Sequence, residues 1–338
     1  MPERAMKLGW LALLTLCCAL FSLGVGRFQV PITHSLMILL EPFTGQHYAG
    51  IDAVQRQVIL GVRLPRVLLA MGAGAALALC GAALQGVFRN PLVDPHIIGV
   101  SSGAAFGGTL AILLSLPLAA LLLSAFVFGM AALLLIFTLT SVIARRNILS
   151  LVLAGVILSG FFSACVSLMQ YLADTEEKLP SIVFWLLGSF ATADRQKLLM
   201  LFLPLLLAGG LLLALRWRIN LLSLGDEDAG ALGINVERTR WLILTLCAAI
   251  VAAQVAVSGS IGWVGLVIPH VARRLVGPDH RRLLPASLCL GALYMLLIDD
   301  LARTLSSSEI PLGILTALIG APLFALLLRR AQVRGWHD

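Results

Sequence analysis

The sequence predicts an all-α integral membrane protein with about ten transmembrane helices. Of its 338 residues, 59% are hydrophobic and 12% are charged, and the mean hydropathy is +0.98. A soluble domain of this length cannot bury that much apolar surface, so most of the chain must face lipid or other apolar helices. The apolar runs reach roughly 20 residues, the length that a helix needs to cross the bilayer core. They also lack the alternation of apolar and polar residues that is typical of membrane barrel strands.

About ten apolar segments follow one another along the chain. They lie near residues 9–25, 64–87, 97–115, 117–143, 148–171, 198–215, 241–258, 261–275, 283–299 and 311–328. The first segment follows Arg4 and Lys7, as the apolar core of a signal peptide would. It lacks a small-residue cleavage site, however, and we interpret it as a retained helix. Residues 1–338 are therefore predicted to form a single transmembrane domain.

Lysine and arginine are distributed unevenly between the two sets of loops. An even number of spans puts both termini on one side, and that side carries about twice as many Lys and Arg residues as the other. Because cytoplasmic loops are enriched in these residues, both termini are predicted to be cytoplasmic. The net charge of +7 follows from this topology and gives no reason to expect nucleic acid as a partner.

The chain carries few groups for chemistry of its own. Its three lysines do not follow a glycine-rich loop, so a P-loop for ATP is absent. The loops show neither a Ser/His/Asp set nor a cluster of metal ligands, and the six cysteines lie within apolar segments. We therefore expect neither an enzyme nor a metal site nor a cofactor bound by this chain.

The fifth predicted helix carries a stripe of small and weakly polar residues. Its members are Gly155, Ser159, Ser163, Ser167 and Gln170. At about 100° per residue, their side chains lie within an arc of roughly 120° on one face of the helix. Such a face suits close packing against another helix or the lining of a passage, and at the seam of a dimer it can do both.

The loop between the sixth and seventh predicted helices concentrates charge, and its sequence is "LLSLGDEDAGALGINVERTRW" (221–241). Three carboxylates, 226–228, follow Gly225, where a helix N-terminus favours negative charge. Gly233 then provides a stop, and Asn235 provides a new N-cap. The pattern predicts two short helices on the cytoplasmic surface, and a simply solvated loop is the alternative. Our hypothesis is that this loop binds a partner.

Two long stretches of the chain carry a family resemblance, "RLPRVLLAMGAGAALALCGAALQGVFRNPLVDPHIIGVSSGAAFG" (63–107) and "GSIGWVGLVIPHVARRLVGPDHRRLLP" (259–285). They resemble the membrane subunits of type II ABC importers, the permeases for iron–siderophore, haem and cobalamin uptake. The resemblance extends over nearly the whole chain through "LPSIVFWLLGSF" (179–190) and "EIPLGILTALIGAPLFALLLRR" (309–330). It implies the type II ABC importer permease fold in a bacterial inner membrane, with ten helices and both ends in the cytoplasm.

The resemblance also implies partners. Permeases of this family work as homodimers or as paired homologues, and a homodimer is the simpler expectation here. Two separate ABC ATPase subunits bind on the cytoplasmic side and hold ATP and Mg, which agrees with the missing P-loop. A periplasmic substrate-binding protein docks on the opposite side, and membrane lipid surrounds the helices.

Four sets of residues acquire roles through the resemblance. The family's coupling helices, which dock in the ATPase, match the cytoplasmic loop 221–240. The matching residues are Gly225, Asp226, Glu227, Asp228, Ala231, Gly233, Asn235 and Arg238. The arginines that meet glutamates of the binding protein match Arg63, Arg66 and Arg303, for which anchoring to lipid headgroups is the alternative. The loops that narrow the cytoplasmic exit match Asn90, Pro91, Leu92, Asn147 and Ser150. The stripe from Gly155 to Gln170 is then the expected translocation path.

The cargo stays open at this stage. A ferric siderophore is the first expectation, because it is the commonest substrate of the family. Haem, cobalamin and molybdate or tungstate oxyanions are the alternatives. A secondary transporter that acts alone would need a coupling-ion site, and no charged residue lies in the middle of a predicted helix. A membrane scaffold that transports nothing is a more distant alternative.

Overall fold

The computed structural model describes residues 2–26, 28–45, 48, 50–143, 148–306 and 308–332. All regular secondary structure within these residues is helical. The α-helices are α1 (Pro2–Gly24), α2 (Ile32–Thr44), α3 (Ala53–Arg56), α4 (Leu64–Val87), α5 (Val100–Leu113), α6 (Leu118–Ile143), α7 (Ile148–Leu172), α8 (Lys178–Leu187), α9 (Arg195–Ala214), α10 (Arg216–Leu222), α11 (Asp226–Ala231), α12 (Val236–Ser258), α13 (Val264–Val276), α14 (His280–Thr304) and α15 (Leu312–Gln332). A π-helical turn (Gln57–Arg63) leads into α4, and a 3₁₀ turn (Pro95–Ile98) precedes α5.

Each of the ten predicted segments falls on a helix, namely α1, α4, α5, α6, α7, α9, α12, α13, α14 and α15. Seven helices in the described part of the chain have the length and composition to cross a membrane. Helices α5 and α15 are shorter but apolar, and α13 spans only 13 residues. The ten predicted segments do not include α2 and α8, which have 13 and 10 residues.

Helices α4 and α12 form the centre of the bundle. Helix α4 packs against α9, α12, α13 and α14, while α12 also packs against α5, α6 and α9. Most side chains of both helices are buried, and the buried residues of α4 are largely alanine and glycine. Small side chains let helix backbones approach closely, which is how helices associate where apolar burial gives no net gain. By contrast, α9 leaves Leu203, Leu206 and Leu207 more than half exposed on its outer surface, as expected of a lipid-facing helix.

Two pairs of glycines set the closest contacts of α4. A Cβ atom added to Gly74 would lie 2.0 Å from the carbonyl oxygen of Gly291 on α14, and one added to Gly291 would lie 2.2 Å from that of Gly74. A Cβ atom at Gly81 would lie 1.9 Å from the carbonyl oxygen of Gly265 on α13. Since the opposing atoms belong to backbones, neither contact can be relieved by a side-chain rotation.

We expect Gly74→Ala to destabilise the bundle by roughly 1–3 kcal/mol, because α4 and α14 must move apart to admit the methyl group. The matched control is Gly210→Ala on α9, where no atom lies within 4 Å of the added Cβ. Thermal unfolding of the purified protein in detergent measures the difference. Equal unfolding temperatures for the two variants would contradict the close α4–α14 contact.

Candidate functional site

The predicted stripe on α7 is only partly covered by the rest of the chain. Ser163 and Ser167 are exposed, Ser159 and Gln170 are half-buried, and Gly155 is buried. The end near Gly155 is closed by the 3₁₀ turn, since a Cβ atom there would lie 2.2 Å from the carbonyl oxygen of Ile97. The stripe therefore runs from an open surface to a tightly packed end, and its role in translocation stays a prediction.

The loop between α4 and α5 lies at this packed end. Asn90 and Leu92 are exposed, and the Asn90 side chain accepts a hydrogen bond of 2.9 Å from the Leu92 N–H. Pro91 is half-buried. Ser150, in the first turn of α7, is half-buried, and Asn147 lies outside the described residues. The role of these residues as a cytoplasmic gate stays a prediction.

A cavity of about 340 Å³, with both polar and apolar side chains in its walls, opens beside the stripe. Its walls are His96, Ser101, Ser102, Ala105, Ser163, Val166, Ser167, Leu186 and Ser260. Only Ser163 and Ser167 belong to the predicted path. Val166 is also on α7, and the others come from the 3₁₀ turn, the start of α5, α8 and the loop after α12. Sequence reasoning missed this group because it is assembled from segments up to 164 residues apart, as between His96 and Ser260.

His96 and Asp94 form an ion pair at the edge of the cavity. The Asp94 carboxylate caps the 3₁₀ turn by accepting the His96 N–H at 2.9 Å, and it lies 2.5 Å from the His96 Nδ1. Burial lowers the pKa of His96, but the charge and hydrogen bond of Asp94 outweigh it and raise that pKa above its ordinary value. Burial conversely favours a raised pKa for Asp94, and His96 brings that pKa below its ordinary value.

The charged loop folds largely as the capping pattern predicts. Gly225 has a φ of +131°, and the helix α11 starts directly after it with three carboxylates in its first turn. Gly233 adopts a φ of +84°, and the Asn235 side chain caps α12 by accepting the Arg238 N–H at 3.0 Å. Of the two short helices predicted, the first is the separate helix α11, whereas the second is the first turn of α12.

One carboxylate of this loop forms an ion pair within the chain itself. Asp226 accepts a hydrogen bond of 2.7 Å from Arg240, whose side chain is only 4% exposed. Glu227, Asp228, Ala231 and Arg238 are exposed. So are Leu224 and Leu232, at 58% and 59%, although both lie in a polar loop. These two leucines were not predicted as part of the site, and they add two exposed apolar side chains to the otherwise charged surface of the loop.

The three arginines predicted to dock a binding protein are buried in this structure. Arg66 pairs with Asp299 at 2.9 Å and with Glu309 at 2.6 Å. Arg303 contacts Asp300 and Asp299 and donates to backbone oxygens near the end of α1. Arg63 likewise donates to backbone oxygens at that end of α1, those of Leu23 and Phe28. Their side chains are thus engaged within the chain itself, and the docking role stays a prediction.

A helical bundle with a glycine-packed centre, an exposed stripe of serines and a projecting polar loop has the architecture of a membrane transport subunit. The chain belongs to the FecCD transport family, whose profile matches residues 13–330. Its relatives in this family are permeases of type II ABC importers, whose ATPase activity belongs to separate subunits. The chain is accordingly a multi-pass protein of the bacterial inner membrane.

Individual relatives differ in their cargo. The chain is 54% identical to the molybdate import system permease protein MolB of Haemophilus influenzae, over 97% of this chain and 96% of that protein. It is 40% identical to the hemin transport system permease protein HmuU of Yersinia pestis, over 98% of each. Among solved structures, it is similar to an inward-facing metal-chelate type ABC transporter, with a TM-score of 0.86 and 52% identity over 98% of this chain and 100% of that one.

Proposed function

We propose that this permease moves a small tetrahedral oxyanion, of the molybdate and tungstate class, from a periplasmic binding protein into the cytoplasm. The observation that carries the proposal is the cavity beside α7, whose polar lining side chains are five serines and one histidine, with Ala105, Val166 and Leu186 completing its walls. Hydroxyl and N–H groups can all donate hydrogen bonds to the oxygens of an oxyanion. The 54% identity to a permease named for molybdate supports the same class of cargo.

The size of the cavity argues in the same direction. Its volume of about 340 Å³ lies at the small end of the range for small-molecule sites, which is roughly 300–1,000 Å³. A ferric siderophore, the first expectation from the sequence, is a bulky chelate, and haem is a wide apolar plate. Both ligands are larger than a tetrahedral oxyanion and would need a wider cavity than this one. A ferric chelate is the second candidate, since permeases for iron chelates are also among the relatives.

The proposed mechanism connects the cytoplasmic loop to the path through α12. Loop 221–240 docks on one of two ATPase subunits, and its last residues form the first turns of α12. Helix α12 packs against α5, which in turn packs against α7. Closure of the ATPases on ATP would therefore shift α5 and α7 relative to each other. In a homodimer, two α7 stripes would face one central path, which the segments at Asn90 and Ser150 close at its cytoplasmic end.

Uptake by the reconstituted complex tests the proposed cargo. Proteoliposomes that contain the permease and its ATPase are supplied with the cognate binding protein, ATP and labelled molybdate, ferric siderophore or haem. We expect accumulation of molybdate, competition by tungstate, and no accumulation when ATP or the binding protein is left out. Uptake of a ferric chelate without uptake of molybdate would overturn the oxyanion proposal in favour of the second candidate.

A further inference from the structure

Ser101 is a buried hydroxyl that faces the cavity without a partner. The residue is 2% exposed, and its Oγ has no hydrogen-bond partner within the described residues. Buried polar groups are nearly always hydrogen-bonded, because an unpaired one keeps the full cost of losing water. A group of this kind that lines a cavity is explained if a ligand occupies the cavity for part of the working cycle.

The backbone around Ser101 adds further donors. Ser101 and Ser102 lie in the first turn of α5, a helix of 14 residues whose N-terminus has no side-chain cap. The first N–H groups of a helix have no partner inside the helix, and together they carry a partial positive charge that favours anions. The residue before this turn, Gly99, has a φ of +72°. A Cβ atom there would lie 3.3 Å from the Gly155 carbonyl oxygen, so the start of α5 is held closely against α7.

His96 completes the set of donors from the opposite wall. Its Nε2 lies 3.4 Å from the Ser260 Oγ, while its Nδ1 faces Asp94. The pKa of His96 is raised by Asp94, which increases the share of the positively charged ring near neutral pH. The Asp94 carboxylate opposes an anion, and the His96 ring that contacts it offsets this charge in its protonated form.

We propose that this cavity is an oxyanion-binding site inside the permease, where Ser101, the first turn of α5 and His96 hold the cargo during its passage. The inference rests on the proposed function for the class of cargo. It adds a binding site for the cargo within the membrane subunit, separate from the site in the binding protein. The exposed α7 face would then lead the anion to the site, and the packed end at Gly155 would delay its exit.

Equilibrium binding of tungstate to the permease–ATPase complex in lipid nanodiscs, without the binding protein, tests this site directly. We expect measurable binding by the wild-type complex and a loss of affinity of about tenfold or more in Ser101→Ala, since a hydrogen bond to a charged ligand disappears. His96→Asn, which cannot become positively charged, should weaken binding by a similar factor. Because the Ser101 hydroxyl is buried without a partner, its removal should leave the unfolding temperature unchanged or raise it.

Ser287→Ala is the matched control, since Ser287 on α14 is also fully buried and its hydroxyl also lacks a partner among the described residues. Ser287 does not line the cavity, so the affinity of the Ser287→Ala complex for tungstate should equal that of the wild type. Equal affinities for Ser101→Ala and Ser287→Ala, or no binding at all by the wild type, would overturn the site. If the wild-type proteoliposomes still take up molybdate in that case, the proposed function holds and only the binding site inside the permease is overturned.

Discussion

Replacing Leu224 and Leu232 together by alanine is expected to detach the permease from its ATPase subunits. Both side chains are more than half exposed on either side of α11, in a loop otherwise rich in charge. Truncating a hot-spot side chain at the centre of an interface costs about 2 kcal/mol or more, so two such losses should weaken ATPase binding far more than tenfold. We expect the ATPase to be lost on co-purification and ATP-driven uptake to fall to background.

The matched control for this variant is Leu206→Ala with Leu207→Ala on α9. These two leucines are 69% and 64% exposed, but they lie on an apolar helix where lipid covers them. The control removes the same side chains and should leave both co-purification and uptake unchanged. If the loop variant retains its ATPase while the permease stays folded, the coupling role of loop 221–240 is wrong.

The carboxylates of the same loop are expected to behave differently from one another. Asp226 binds the nearly buried Arg240, so Asp226→Ala leaves a buried cation unpaired and perturbs the loop itself. Glu227 and Asp228 project into solvent, and their removal tests contact with the partner alone. Changing all three at once, which the sequence pattern suggests, would mix the two effects.

Local patterns in the sequence predict local structure well in this chain. The Gly225 and Gly233 turns and the Asn235 cap depend only on residues a few positions away, and each is found where the pattern indicates. The membrane helices are predicted by the length of their apolar runs for the same reason. The stripe on α7 follows from helical periodicity alone, so its arrangement on one face needs no tertiary information.

The features that depend on tertiary contacts were not predictable in the same way. Nothing near Ser101 in the sequence indicates that Ser163 and Ser260 will lie across a cavity from it. The burial of Arg66 is likewise invisible in the sequence, since its partner Asp299 is 233 residues away. An arginine near the end of an apolar run is normally taken to reach water or lipid headgroups, and that expectation fails where another helix supplies a buried carboxylate.

The arginines at the predicted periplasmic end therefore call for a different experiment from simple charge reversal. Arg63 donates to the Leu23 carbonyl oxygen at 2.7 Å, and Arg303 donates to those of Ser22 and Val25 at 2.8 Å each. The last carbonyl groups of a helix have no partner inside it, and a cation there also balances the helix dipole. These two side chains thus fix the end of α1, and reversing their charge would disturb α1 whether or not a binding protein docks there.

Arg66→Ala is expected to destabilise the permease by about 3–5 kcal/mol, the usual cost of leaving a buried charge without its partner. The Arg66 guanidinium faces Asp299 with two nitrogens, at 2.9 and 3.0 Å, and Asp299 is fully buried. Two further bonds, at 2.6 and 3.0 Å, reach Glu309 in the loop before α15. Loss of Arg66 should lower the unfolding temperature in detergent, whereas Arg195→Ala, at an exposed arginine, should not.

The double variant Arg66→Met with Asp299→Leu separates structural pairing from docking. An apolar pair of similar volume removes both buried charges, so most of the lost stability should return. If Arg66 only joins α4 to α14, this variant should also recover uptake and affinity for the binding protein. If Arg66 contacts the binding protein as well, stability should return while that affinity stays low. A single Arg66→Ala variant as stable as the wild type would contradict the structural role, because the fully buried Asp299 would keep only its longer contact of 3.7 Å with Arg303.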